Sequence, residues 1–289
     1  ISVVYLTSTV TSRQSLATSR TSEDAAIAMT ILGNHLRMAG YSPPRTLVPT
    51  GSALVAGGKV AIPDRNLTGY AIRGCDFGFS SAVTTSTTFE NLTCSTTAGP
   101  AAFAVRYEAD VFNTFPVNIN NPNPQGDPSD CVSAGINANT ASSYDLATQY
   151  TLSEARFSVA VSTSNGTPEL YCAGSGGTTK RFVRQPLMQF VENMVLNYGI
   201  ADDSISGNVV RYVTQTQLDA LTGTTESRWS RVINVKLCIV MRSDKPHQNG
   251  GGNYVDCAGD SVASAGGFVR RAFTSVFTLR NRADFSAAL

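Results

Sequence analysis

The sequence predicts an α+β domain in which a long N-terminal helix packs on an antiparallel β-sheet, with large disulfide-braced loops. Three observations predict it. Residues 1–39 contain no proline, and no glycine except Gly33. Beyond Pro44 the apolar runs are short, alternate with period two and are separated by frequent turn signals. Six cysteines stand in a chain of 289 residues that is only 15% charged, against roughly 25% in an ordinary soluble domain.

The helix comes first. Val3, Leu6, Val10 and Ala17 recur near a 3.5-residue period, and a wider stripe follows at Ile27, Ala28, Ile31, Leu32, Leu36 and Met38. Arg37 occupies the last turn, Gly40 follows as the C′ residue, and Pro43-Pro44 prevent continuation. Such a rod is roughly 57 Å long at 1.5 Å per residue, longer than the domain it packs on. Its C-terminal half has a face broad enough to cover a sheet. Its N-terminal half is flanked by Thr7, Ser8, Thr9, Thr11 and Ser12, indifferent helix formers, so it needs neighbouring helices for support. The opening apolar run (ISVVYL) reads as the tail of a longer hydrophobic helix. A division follows: residues 1–40 as helix and 41–289 as a β-rich head.

The strands come next. Phe103, Val105 and Tyr107 share a face opposite Arg106 and Glu108; Phe157, Val159 and Val161 form a second alternating set. Ile233, Val235, Leu237, Ile239 and Met241 face away from Asn234 and Lys236, and Val269, Phe273, Phe277 and Leu279 face away from Thr274 and Thr278. This is the pattern of an antiparallel sheet with one wet face. Between these strands, Pro186 suits the first position of a second helix, with Leu187, Phe190, Val191, Met194 and Val195 as its stripe and Tyr198-Gly199 as its end. Trp229 is expected at the start of a strand as a core anchor. Residues 84–97 read as an edge strand or loop, and 118–130 as a polar, proline-rich surface loop.

Composition limits the chemistry. The net charge is +1, which leaves no electrostatic footprint for nucleic acid, and 42% hydrophobic residues suffice for a real core. There are two histidines, His35 and His247, and no zinc, nucleophile-elbow, phosphate-loop or dinucleotide motif. No catalytic residue, cofactor or enzymatic activity is expected. His35, beside Leu32 and Leu36, reads as a helix-boundary residue. Arg270-Arg271 and Arg280-Asn281-Arg282 read as charges guarding a strand edge. The matches to N-x-[ST] at Asn66, Asn91 and Asn165 matter only in a eukaryotic secretory pathway.

An even cysteine count without metal-ligand spacing favours disulfides in an oxidising compartment. Sequence alone does not fix the pairing. The equal separation within Cys75/Cys94 and Cys238/Cys257 suggests two local pairs, which leaves Cys131 with Cys172.

Four stretches carry a family resemblance: 28–41 (AMTILGNHLRMAGY), Leu170-Tyr171-Cys172 after a Gly-Thr-Pro turn, 190–202 (FVENMVLNYGIAD), and 229–243 together with 270–282, which end in M-R-S and L-R-N-R. In order and spacing they resemble the PilW-type minor pilins of type IV pili. Residues 45–100 and 114–153 match nothing in that family, and its N-terminal Gly and early Glu do not occur in this sequence. The resemblance implies a non-catalytic subunit, held in the inner membrane by a preceding apolar helix. It implies assembly with other minor and major pilins to start or cap a retractable filament, a tip adhesin as a possible associate, and a place on an extracellular pilus. On this basis Val3, Leu6, Val10 and Ala17 are the expected subunit interface.

Other expectations compete. A minor pseudopilin of a type II secretion system shares the layout; so does a subunit forming much of a filament, against which the long loops argue. A secreted hydrolase or carbohydrate-binding domain is suggested by Tyr70, Phe77 and Phe79, with Glu90, Glu108, Glu154 or Glu169 as acid–base groups that no spacing pairs. Residues 202–208, with Asp202 and Asp203, offer hard oxygen ligands for calcium but have Val213 at the twelfth loop position, so an ordinary turn is favoured.

Overall fold

The computed structural model describes residues 2–43, 67, 69–80, 87–120, 123–136, 150–177, 181–202, 207–247 and 251–281; in the first helix, side chains are described at Ser12 and from Ser15 onward. The predicted helix α1 (Ser2–Met38) is continuous. Ala25, Ala28, Leu32, Leu36 and Ala39 are fully buried, each large one contributing roughly 1.5–3 kcal/mol by leaving water. Ile27, expected in the buried stripe, is instead 51% exposed, because the covered sector is narrower than the apolar one.

Glycine at position 33 costs helix propensity, about 1 kcal/mol relative to alanine. The reason for it is packing: a Cβ there would lie 2.3 Å from Cε1 of Phe277. The helix ends as expected, with Gly40 at φ +79° donating its N–H to the Arg106 carbonyl at 2.9 Å. Asn281 also donates to the carbonyls of Arg37 and Met38.

The head holds two antiparallel sheets rather than the single one expected. The first is a meander of β1 (Ile72–Cys75), β2 (Ala102–Glu108), β3 (Leu152–Val161), β4 (Pro168–Gly174) and β5 (Gln185–Gln189). The second involves β6 (Val191–Ile200), β7 (Arg211–Val213), β8 (Val232–Arg242) and β11 (Arg270–Thr278), in the order β11-β8-β6-β7. A hairpin, β9 (Asn253–Val255) with β10 (Ser261–Ala263), is separate. The chain passes between the sheets at Phe190, whose φ is +67°. Its N–H reaches the Pro168 carbonyl of the first sheet, and its carbonyl accepts from Arg242 N–H of the second. One core runs through both sheets and α1, which lies against β11, β8, β2 and β5. With both faces covered, β2 has no wet side: Arg106 and Glu108 are buried with the rest.

The second predicted helix is wrong: Pro186 lies in β5, and Val191, Met194 and Tyr198 lie in β6. A bulge between Val191 and Asn193 shifts the register by one residue. The buried positions Val191 and Met194 therefore stand three apart, like a helix face, before Met194, Leu196, Tyr198 and Ile200 resume strict alternation. Trp229 is fully buried, as an anchor should be, but it ends a short helix rather than opening a strand. Two such helices, α2 (Gln215–Asp219) and α3 (Thr225–Trp229), are capped by Thr214 and Thr224. Residues 84–97 include a 3₁₀ turn, Phe89–Asn91, and 81–86 lie outside the described residues.

Disulfides join Cys75–Cys94, Cys131–Cys172 and Cys238–Cys257, with Cα separations of 5.1, 6.4 and 5.8 Å. The second is reinforced by Asp130, whose carboxylate accepts N–H bonds from Val132, Ala134 and Gly176. Gly174 and Gly176 belong here because a Cβ on either would strike that carboxylate, at 2.0 and 2.9 Å.

Candidate functional site

Along α1, cover changes abruptly. From Thr21 toward the C-terminus the helix has buried positions on every turn, whereas Ser12, Ser15, Leu16, Ser19 and Arg20 are exposed. At about 100° per residue, Val3, Leu6, Val10 and Ala17 fall within one sector of about 60°, and Thr21, Ala28 and Leu32 lie on or beside it. The N-terminal stripe thus prolongs the very face whose lower half covers the sheets. Of its four residues, Ala17 is half-buried, and the side chains of Val3, Leu6 and Val10 lie outside the described residues.

Three hydroxyls in the C-terminal part of α1 are tied within the helix, whereas of the flank Thr7, Ser8, Thr9, Thr11 and Ser12 only the Ser12 side chain is among the described residues, and it is exposed. Thr21 donates to the Ala17 carbonyl at 2.8 Å, Ser22 to Thr18 at 2.9 Å and Thr30 to Ala26 at 2.8 Å. A second outward line carries Leu16, 60% exposed, and Ile27, eleven residues on. Sequence reasoning missed Leu16; its eleven-residue separation from Ile27, which returns to the same side of a helix, was the available signal.

The acidic candidates are engaged elsewhere. Arg106 pairs with Glu90 and lies over the Phe89 ring, while its Nε donates to the Tyr70 carbonyl. Arg156 holds Glu154 at 2.7 Å and stacks on Phe182. Register sets Arg106 opposite Glu154, so Glu90 and Glu154 share one cluster with two guanidinium groups. Burial raises the Glu154 carboxyl against the pull of both arginines. Burial also acts upward on Glu90, but its own backbone N–H and Arg106 leave it below the usual range. Glu108 accepts from Ser42, and Glu169 from Tyr171, Asn165 and Gln189. These are structural ties, with each carboxylate already matched by donors. Tyr70 lies in the Arg106 cluster, and Phe79 bridges Cys94.

His35 packs against the rings of Tyr107 and Phe157, with Nδ1 3.3 Å from the Tyr107 hydroxyl. Desolvation lowers its pKa to about 4. Between the sheets, Asp219 accepts from Arg73 at 2.8 Å, Gln215 at 2.6 Å and Trp229 at 2.9 Å. Burial would raise that carboxyl, but these donors hold it below its ordinary value.

Among the described residues no group of three or more His, Cys, Asp or Glu is placed to hold a metal ion, and no helix is long and apolar enough to cross a membrane. Asp202 begins the calcium candidate loop, but Asp203 and the rest of 203–206 lie outside the described residues.

No curated protein is similar to the chain in sequence. A type IV-like pilin from Thermus thermophilus is similar in structure at 11% identity, with 91% of this chain and 97% of that chain covered and a TM-score of 0.44. The sequence profile of the PilW family, type IV pilus-assembly protein W, matches residues 156–281, from β3 through the end of β11. Over that segment the chain carries the PilW-type resemblance read from its motifs, and the role this supports is that of a pilus-related pilin.

Proposed function

We propose that this chain is a non-enzymatic minor pilin, which assembles through its N-terminal helix with other minor and major pilins to initiate or cap a type IV pilus. The observation that carries the proposal is the half-covered helix. A helix whose apolar sector continues through Ala17, Val10, Leu6 and Val3, beyond Thr21, the most N-terminal buried side chain among those described, gains support when a neighbour covers that sector. The profile match to a pilus-assembly family supports the choice of neighbour. The head braces the rod and presents a disulfide-bonded surface outside the cell.

The test is complementation of a deletion strain. Wild-type chain is expected to restore surface pili. Variants V10E and A17E, which put charge into the stripe N-terminal to the buried part of α1, are expected to fold and remain in the envelope but restore few or no pili. Full piliation by both variants contradicts the proposal.

A further inference from the structure

The loop after β2 displays apolar surface that nothing in the rod accounts for. Phe112 is 89% exposed, Phe115 85% and Ile119 62%. Phenylalanines standing free usually lie on slack chain, but this segment is tightly held. Asp110 accepts from the backbone N–H groups of Phe112 and Asn113, and Thr114 N–H returns to the Asp110 carbonyl. Ser129 Oγ donates to the Phe115 carbonyl, and Val117 and Asp127 exchange both backbone bonds. Ile119 lies across Gly126, where a Cβ would come within 2.9 Å of its Cγ1. The Cys131–Cys172 bridge and a small core of Tyr107, Ala109 and Ile136 fix the base to the head.

We propose that Phe112, Phe115 and Ile119 form a preorganised prong that docks into an apolar hollow, rimmed by lysine or arginine, on another protein chain. Two arguments select that occupant. Asp110 and Asp127 are the partly exposed carboxylates of this loop, and the sequence from 107 to 155 has no Lys, Arg or His, so the loop's field favours a basic rim. The prong also exposes on the order of 400 Å² of apolar surface, about half of one side of a standard interface. A sugar ligand fits poorly. The neighbouring polar side chains that would grip hydroxyls are spent internally, Asn118 and Asn123 on Asp127 and Asn113 on the Glu108 carbonyl. This inference does not rest on the helix reading, since the loop lies in the head.

The test is a photoreactive phenylalanine analogue at position 112 or 115 of the full chain, expressed in its native cell, with adducts mapped by mass spectrometry. The expected result is one dominant adduct with a different protein, at an apolar site that has Lys or Arg within about a Debye length, 10 Å. Washing the envelope with high salt before irradiation should lower its yield, and F112S/F115S, with the cross-linker moved to Asn120, should abolish it without changing Tm. Adducts confined to this chain, to a second copy of it, to lipid or glycan, or to an acidic surface overturn the proposal. So does the absence of any adduct from folded, correctly localised protein.

Discussion

The two halves of α1 make an instructive pair. The C-terminal half places Ala28, Leu32 and Leu36 on the core and gives up helix propensity at Gly33 so that Phe277 can reach its axis. The N-terminal half continues the same apolar line through Ala17, Val10, Leu6 and Val3, and of its described side chains Ser12, Ser15, Leu16, Ser19 and Arg20 are exposed. One half is therefore specified by a fixed partner within the chain. The other has no buried position among its described side chains, Ser12 and 15–20. The contrast lies in cover: buried apolar area fixes the C-terminal half on the head, whereas the described side chains between Ser12 and Arg20 are exposed or half-buried.

That contrast can be broken from either side. Leu32→Ala removes a fully buried side chain from the core that α1 shares with the sheets and should cost about 2–5 kcal/mol in denaturant unfolding of the isolated chain. Replacing Cys131 and Cys172 by serine opens a loop with a sequence separation of 41, and should cost about 3–4 kcal/mol. Amide exchange should then accelerate in residues 110–136 before the β-strands.

His35 sharpens the picture through pH. Its folded pKa, about 4, lies below its unfolded value of 6.5, so the unfolded chain takes up a proton first as pH falls. Stability should therefore be full above pH 6.5 and decline between 6.5 and 4, by on the order of 2 kcal/mol at pH 5. H35F should flatten that decline. Asp219, held below its ordinary value, adds a loss only at more acidic pH, as protonation weakens its ties to Arg73 and Trp229. The smallest stability effect belongs to the outer half: Leu16→Glu should change unfolding by less than about 0.5 kcal/mol. A large loss there would mean that the head covers this half after all.

Much of this was legible in residues that answer to one local rule. The end of α1 followed from Gly40 and the prolines, the existence of β3 and the extents of β8 and β11 from alternation, and the local cysteine pairs from equal spacing, while the first residues of β3, from Leu152, were not read as strand. What escaped depended on two rules at once. The bulge in β6 placed Val191 and Met194 at helical spacing inside a strand, so period alone misled. The split into two sheets turns on Phe190, a residue with ordinary side-chain chemistry and an unusual φ. Trp229 is anchored through Asp219, ten residues away on another helix, which no pattern announces. Phe112 and Phe115 lay in a segment whose polarity said loop, and whose rigidity comes from hydrogen bonds across it. For the interface, the stripe was legible, but the exposed line through Leu16 was not, because a lone leucine among Ser and Thr looks incidental.

The proposed role requires that the sector of α1 carrying Val3, Leu6, Val10 and Ala17 meets other pilins. All six native cysteines are paired, so one added cysteine is the sole free thiol. Single cysteines at Val3, Leu6, Val10 and Ala17, tagged with a thiol-linked photocross-linker in the native envelope, report directly on what that surface meets. Adducts with other pilin-type chains are expected from all four positions, and none from an added cysteine at exposed Lys236. Adducts only within the chain itself, or the same adducts from position 236, would contradict it.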